Sequence, residues 1–248
     1  MFNRSFFRNL PPVTKNLLII NIIIWAFIAI TPALTTQKVM DLGALHYITS
    51  KTFWIWQFFT YMFIHKDFWH LFFNMWALLM FGYAIEQYLG SKRFLFYYIS
   101  CGLGAAIVQI IVFAIMIWKM SSEISPQMVS AVMENGLQVM REGYQYDNVF
   151  MANINILINT PVIGASGAVF GILLAMGMYF PNATMYIMFV PYPIKAKWIV
   201  IGYGVLELAM GIGTPGDGIA HFAHLGGMLF GFLLILYWKM KEKKSRGI

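Results

Sequence analysis

The sequence predicts an all-α polytopic membrane protein, in which six spanning helices form a single domain over residues 1–248. The first observation is composition: 60% of the residues are hydrophobic and only 11% are charged, whereas an ordinary soluble domain is about 25% charged. The second is that six apolar segments approach the ~20 residues that a spanning helix needs. These segments are 14–34, 68–89, 94–118, 162–180, 196–212 and 219–238. Because so little charge cannot coat a soluble globule of this size, we expect the lipid bilayer to surround the chain.

The first span follows three cations, Arg4, Arg8 and Lys15, and no small-residue cleavage site comes after it. We therefore expect an uncleaved signal anchor and not a signal peptide. Twelve of the 17 lysines and arginines fall in the termini and in alternate loops, at 1–15, 90–93, 181–197 and 239–248. Cytoplasmic loops are enriched in these residues, so we expect both termini in the cytoplasm, here of a bacterial plasma membrane. The formal net charge of +7 thus reflects topology, and no nucleic-acid partner is expected.

Two outer loops contain sequence patterns that predict structure of their own. The loop 35–67 contains "KTFWIWQFFTYMFIHKDFWH", which is too aromatic for a solvated loop and too interrupted for a span, so we expect it to lie in the membrane interface. The loop 119–161 has apolar residues at helical spacing: Val129, Val132, Met133, Leu137 and Met140. With Ser125 as N-cap and Pro126 as first helical residue, this pattern predicts an amphipathic helix on the outer leaflet. A mere connector is the alternative.

Polar side chains in the spans are few, and such groups usually face the bundle interior or a water-filled cavity. In the second span, "HLFFN" places His70 and Asn74 four residues apart, on one helical face. Ser166 lies in the first turn of the fourth span, and His221 and His224 lie near the start of the sixth. By the orientation above, all these helix ends are outer ends. We expect the polar groups at a similar depth below the outer surface.

A serine hydroxyl becomes a good nucleophile when a neighbouring base removes its proton, and histidine titrates in the right range. An Asn amide, an imidazole N–H and the serine backbone N–H would stabilise the oxyanion that follows. Each motif alone has an ordinary alternative, either small-residue packing or a hydrogen bond between helices. Because a third carboxylate would be costly to bury in the membrane, we expect a two-residue Ser–His pair.

The choice between the two histidines depends on helix packing. Small residues recur at four-residue spacing in the fourth and sixth spans, at Gly167, Gly171, Gly227 and Gly231. Facing small residues let two backbones approach closely, which would bring His224 within hydrogen-bond reach of Ser166. His221, one turn earlier, would lie nearer to the outer water. We therefore expect His224 to be the base.

The motifs "HLFFN", "GASG" and "AHLGG", in this order on the second, fourth and sixth spans, resemble the rhomboid family of intramembrane serine proteases. The resemblance covers the whole chain and implies a six-transmembrane-helix rhomboid-like bundle. It implies cleavage of single-span membrane proteins near the outer face, at small residues, with lateral access beside the fifth span. Ser166 would be the nucleophile, His224 the general base, and His70 with Asn74 the oxyanion side chains, while Gly164 leaves room for the oxyanion. No cofactor and no metal are implied, and the oligomeric state is left open.

The chain departs from the family pattern in two places. Many members carry Trp-Arg in the first loop, where this chain has Trp56-Gln57 and so lacks the arginine of an anchoring ion pair. Phe170 stands where better-known members have a tyrosine against the catalytic histidine, which keeps the aromatic surface without the hydroxyl. Glu207 is an isolated carboxylate in the fifth span, with either a role in gating or water access or a packing role. Glu86 is read as part of a solvated helix end.

Other classes fit the sequence less well. A metalloprotease lacks the expected H-E-x-x-H motif and would have to draw its ligands from His65, His70, His221, His224 and Asp217. An aspartyl intramembrane protease needs two carboxylates at one site, whereas Asp147 and Asp217 lie in outer loops. A six-helix transporter would have internal pseudo-symmetry. A non-catalytic rhomboid-like protein that escorts membrane helices would have lost the serine or the histidine, and this chain has both.

Overall fold

The computed structural model describes residues 9–186, 192–213 and 220–245. Within these ranges the chain is largely helical, and five helices are long and apolar enough to cross a membrane. They are Pro12–Ile30, Phe68–Leu89, Ser91–Ser121, Ala196–Gly213 and His221–Ser245. The remaining predicted span corresponds to a shorter apolar helix, Ser166–Tyr179. The predicted fold class, an all-α bundle of a multi-pass membrane protein, is confirmed. Arg4, Arg8 and Asp217, used in the sequence analysis, lie outside the described residues.

The first half of the chain runs through α1 (Pro12–Ile30), α2 (Ala33–Gly43), α3 (Gln57–Thr60), a 3₁₀ turn (Tyr61–Phe63), α4 (Phe68–Ala77), a π-helical turn (Leu78–Gly82), α5 (Tyr83–Leu89) and α6 (Ser91–Ser121). The second half runs through α7 (Pro126–Arg141), α8 (Val149–Asn159), α9 (Ser166–Tyr179), a short antiparallel pair of β1 (Thr184–Met185) and β2 (Ile194–Lys195), α10 (Ala196–Gly213) and α11 (His221–Ser245). The second span is thus α4 and α5 joined by the π-helical turn.

Two predicted span boundaries are wrong, each because of local backbone chemistry. The first span was expected to reach residue 34, but α1 ends at Ile30 and α2 is a separate helix. Thr31 is extended, with φ −85° and ψ 150°, because the residue before a proline, here Pro32, is disfavoured in the helical region. The fourth span was expected from residue 162, but α9 begins only at Ser166 and has 14 residues, a length of about 21 Å.

Helix α9 lies at the centre of the bundle, packed against α6, α10 and α11. The predicted close approach of α9 and α11 is confirmed, because a Cβ on Gly227 would overlap the carbonyl of Gly167. A Cβ on Gly171 would lie 3.2 Å from the carbonyl oxygen of Gly227 and would also run into the buried Cys101. Only glycine therefore fits at these positions, and the two backbones touch. Cys101 is fully buried and serves as a packing residue.

In the loop 35–67, Gln57 stands where the resemblance implies an arginine. Its side chain is fully buried: Nε2 donates to the carbonyl oxygens of Asp41 (2.9 Å) and Thr52 (2.7 Å), and Oε1 accepts from the backbone N–H of His46 (3.1 Å). A neutral amide thus ties three backbone groups together without an ion pair. The position of this loop in the membrane interface stays a prediction.

The helix predicted in the loop 119–161 is confirmed. Helix α7 begins at Pro126, and Ser125 Oγ accepts from the backbone N–H of Met128 at 3.3 Å. An ion pair of 2.6 Å between Arg141 and Asp41 joins α7 to α2. Helix α8, which we did not predict, follows it. That α7 lies on the outer leaflet stays a prediction.

The expectation of a solvated end at Glu86 is wrong. Its carboxylate is buried and accepts from the backbone N–H groups of Val13 (2.9 Å) and Thr14 (2.6 Å) and from Ser91 Oγ (2.7 Å). The first N–H groups of a helix have no partner within it, and a carboxylate there also interacts well with the helix dipole. Glu86 therefore caps α1 from another helix.

We expect Glu86→Ala to lower the free energy of unfolding by about 1.5–3 kcal/mol, the range for hydrogen bonds to a charged group. The neighbouring Gln87→Ala is the matched control, because Gln87 is exposed. Reversible unfolding in mild detergent would measure both. Equal stability of the two variants would show that the cap contributes nothing.

Candidate active site

Ser166 and His224 lie in contact at the centre of the bundle. Ser166 is the first residue of α9, His224 lies in the first turn of α11, and Ser166 Oγ is 2.7 Å from His224 Nε2. The facing glycines predicted that these two side chains come within hydrogen-bond distance, and they do so in the structure. The imidazole stacks on Phe170, with ring centroids 4.3 Å apart and planes 5° from parallel. The phenyl ring therefore fixes the plane of the imidazole whose Nε2 meets the serine.

The segment before Ser166 is held by the first outer loop. Leu45 and Val162 form an antiparallel bridge through two backbone hydrogen bonds of 3.0 and 2.8 Å. Gly164 donates its N–H to the carbonyl oxygen of Tyr61 at 3.0 Å. Its φ of +116° is a conformation that side chains disfavour, and a Cβ there would lie 2.6 Å from His70 Nε2. Glycine is thus required at residue 164 for both its backbone and its neighbour.

His65 supports the same segment, a role that the sequence analysis missed. It is buried, and its Nε2 accepts from the backbone N–H of Ala165 at 3.4 Å. Burial, with a smaller contribution from nearby His70, lowers the pKa of His65 to about 3. His65 is therefore neutral near pH 7 and keeps an acceptor nitrogen for this bond. The only signal in the sequence was a histidine just before a span, which does not reveal a partner 100 residues away.

His70 and Asn74 lie across the site on α4. Lys66 N–H approaches His70 Nδ1 at 3.4 Å, so Nδ1 is the acceptor and the ring proton is carried by Nε2, the atom that faces Gly164. Asn74 donates one amide hydrogen to the carbonyl oxygen of His70 at 2.9 Å, and its side chain lines a cavity together with Ser166. The first N–H groups of a helix have no partner within it, so those at the start of α9 add backbone donors. Three kinds of donor are thus available around Ser166.

Glu207 contacts His224 on the ring nitrogen that does not face Ser166. The site therefore differs from the expected pair of serine and histidine alone. Its Oε2 is 2.9 Å from His224 Nδ1 and 2.7 Å from His221 Nδ1. The expectation that His221 lies nearer to the outer water is wrong, because its side chain is buried against this carboxylate. The sequence could not reveal the contact, since α10 is apolar on every side and its rotation about its own axis has no signature.

The structure brings together two of the five residues that the metalloprotease alternative would use, His221 and His224. The one cluster among the described residues with metal-ligating groups close together is Glu207, His221 and His224. His65 and His70 are not part of it, and their rings contact each other edge to face at 5.1 Å.

A cavity of about 290 Å³ lies between α4 and α10 and reaches Ser166. Apart from Ser166 and Asn74 its lining is largely apolar and aromatic, including Phe73, Trp76, Phe81, Phe170 and Tyr203. The Ser166 side chain thus borders a largely apolar space.

Comparison with known proteins gives two findings. The family model described as the Rhomboid domain matches residues 52–241. The chain is also 26% identical over 200 residues to "Rhomboid protein 1, mitochondrial" of Saccharomyces cerevisiae (strain ATCC 204508 / S288c). That alignment covers 81% of this chain and 45% of the yeast protein, so the chain spans less than half the length of this curated relative.

Proposed function

This chain belongs to the rhomboid family, and we propose that it is a serine endopeptidase that cleaves single-span membrane proteins with a Ser166–His224 pair. The observation that carries the proposal is the 2.7 Å contact between Ser166 Oγ and His224 Nε2. Serine nucleophiles are activated by a base at this separation. The cavity beside the pair, in a bundle of apolar helices, supports a substrate that comes from the membrane.

The mechanism follows from the placement of the groups. His224 Nε2 takes the hydroxyl proton as Ser166 Oγ attacks the scissile carbonyl carbon, and the imidazolium then gives that proton to the leaving amine. The oxyanion would accept hydrogen bonds from His70 Nε2–H, the Asn74 amide and backbone N–H groups at the start of α9. Water then hydrolyses the acyl-enzyme with His224 again as base. These steps need no cofactor.

The substrate must expose a peptide bond before it can react. A transmembrane helix satisfies its backbone groups internally, so the scissile segment has to unwind in or near the cavity between α4 and α10. Small residues at the cleavage point would fit the limited space next to Phe170 and Asn74. We propose transmembrane proteins with an easily unwound outer end as the substrate class.

The second candidate is a non-catalytic rhomboid-like protein that binds or escorts membrane helices. The chain retains both serine and histidine in hydrogen-bond contact, which favours the enzyme. Residues 1–248 are proposed to form one domain, since helices from both halves of the chain, including α1 and α11, contribute to the same apolar core. The excess of lysine and arginine in the termini supports a cytoplasmic location for both, which accessibility of an added C-terminal cysteine to an impermeant reagent would test.

A cleavage assay tests the proposed function. Purified protein in detergent would be incubated with a panel of single-span substrates that differ in the helical stability of their outer ends. We expect wild type to cleave the less stable helices near the outer end and Ser166→Ala to cleave none. Cleavage by Ser166→Ala would contradict the serine mechanism, and intact binding of substrate helices without any cleavage by wild type would favour the escort function.

A further inference from the structure

We propose that Glu207 is a positioning residue for His224, so that this chain works through a Ser–His–Glu arrangement and not an isolated pair. The inference rests on the proposed protease function. The three groups form a continuous series of contacts: Ser166 Oγ is 2.7 Å from His224 Nε2, and His224 Nδ1 is 2.9 Å from Glu207 Oε2. They come from three helices, α9, α11 and α10.

The carboxylate decides which nitrogen of His224 carries the proton. A neutral imidazole has one N–H and one lone pair, and a base facing Ser166 needs the lone pair on Nε2. Glu207 Oε2 lies 2.9 Å from Nδ1 at an angle that falls short of a hydrogen bond, and among the described residues this buried nitrogen makes no hydrogen bond, so the carboxylate acts on it through its charge. A proton on Nδ1 is therefore stabilised by Glu207, which leaves Nε2 free to accept from the serine. The same carboxylate would stabilise the imidazolium that forms during attack.

His221 explains how a carboxylate is retained in this apolar setting. An ionised group in the membrane is costly unless it is hydrogen-bonded or paired. His221 Nδ1 lies 2.7 Å from the same Oε2 atom, and both side chains are buried. His221 thus fixes Glu207 and Glu207 fixes His224, so the two histidines of "HFAH" have different roles.

The spacing of the cluster is that of direct ion-pair contacts and is shorter than the spacing of ligands in a zinc centre. Zinc ligands lie about 2.0–2.1 Å from the ion in tetrahedral geometry, which separates ligand atoms by roughly 3.3 Å. The two Glu207–histidine separations of 2.7 and 2.9 Å are shorter than this. The carboxylate therefore meets the imidazoles directly.

Few titratable groups other than Glu207 face His224 in the described residues. His221 lies one turn away on α11, with ring centroids 6.4 Å apart. His70 faces the site from α4 and interacts with His224 electrostatically. The stacked Phe170 carries no charge, and Tyr203 on α10 contacts Phe170 and not the imidazole. Glu207 is the negatively charged group in this set. Removing its charge should therefore change the protonation of His224 more than that of any other group named here.

The kinetic test compares Glu207→Gln with Glu242→Gln, an exposed glutamate on α11 that serves as matched control. We expect Glu207→Gln to lower kcat by at least about 10²-fold, toward the ~10⁴-fold loss known for the third member of serine triads. KM should change little, the acid limb of the pH profile of kcat/KM should move to lower pH, and Glu242→Gln should behave as wild type. A folded Glu207→Gln protein with kcat within a few-fold of wild type and an unmoved pH profile would overturn the proposal.

A second measurement does not depend on activity. In ¹⁵N-histidine-labelled Ser166→Ala protein, NMR would show the tautomer of His224, assigned among the five histidines by the loss of its signals in the Ser166→Ala, His224→Ala protein. We expect the proton on Nδ1 of His224 in Ser166→Ala and a mixture of tautomers after adding Glu207→Leu. A proton on Nε2 in the Ser166→Ala protein, or a loss of wild-type activity with a zinc chelator, would overturn the proposal. Absence of proteolysis in wild type would overturn the proposed function, while the tautomer would still decide the role of Glu207.

Discussion

Replacing His224 with alanine should abolish cleavage as completely as replacing Ser166, and the double variant should be no slower than either. The two side chains act as one unit across a 2.7 Å contact, so the loss of one leaves the other without a function and the effects do not add. Serine-protease units of this kind lose about 10⁶-fold in kcat when the serine or the histidine is removed. Turnover of single-span substrates in detergent would measure the loss.

The control for this prediction is His221→Ala, which removes a histidine of the same helix and similar burial. Its ring contacts Glu207 and not Ser166, so activity should fall much less than with His224→Ala. Thermal unfolding of each variant would confirm that the fold is intact. Equal loss at both histidines in folded proteins would contradict the assignment of His224 as the base.

Asn74→Ala and His70→Ala should each lower turnover by about 10²–10³-fold, with little effect on substrate binding. A donor aimed at a developing oxyanion contributes roughly 3–4 kcal/mol to the transition state and little to the ground state. Asn74 lines the cavity beside Ser166, and the orientation of His70 leaves its Nε2–H directed toward Gly164. Separate measurement of kcat and KM would distinguish a loss in the transition state from weakened binding.

The same two residues could instead serve only to hold α4 together. Asn74 donates to the carbonyl oxygen of His70 within the helix at 2.9 Å, and a packing role would make its removal a loss of stability. Turnover and thermal unfolding should therefore be measured on the same preparations, including the double variant. We expect the double variant to lose less than the sum, because backbone donors remain. A drop in stability with normal turnover per folded molecule would contradict the oxyanion role.

The sequence predicted those features of the fold and the site that depend on the spacing of residues along a helix. The glycines at four-residue intervals predicted that α9 and α11 touch, and this alone places His224 at Ser166 and not His221. The i, i+4 spacing of His70 and Asn74 likewise predicted a shared helical face. Hydropathy identified the spans because it sums over whole helices and needs no knowledge of their packing.

The features that the sequence did not predict depend on long-range partners or on backbone conformation. Glu86 was misjudged because its partners, the N–H groups at the start of α1, are more than 70 residues away. The role of Glu207 was left open between gating or water access and packing, because the apolar residues of α10 give no clue to the rotation of this helix. The non-helical start of the fourth span depends on the positive φ of Gly164, to which a hydropathy window is insensitive.

Covalent labelling tests most directly the central claim that Ser166 is a nucleophile activated by His224. Wild-type protein in detergent would be treated with a fluorophosphonate, and the modified residue would be located by mass spectrometry of peptides. We expect the label on Ser166 alone, and no label in folded His224→Ala protein, since the hydroxyl then has no base to take its proton. Undiminished labelling of Ser166 in folded His224→Ala protein, or active wild-type enzyme that is not labelled at Ser166, would contradict the account.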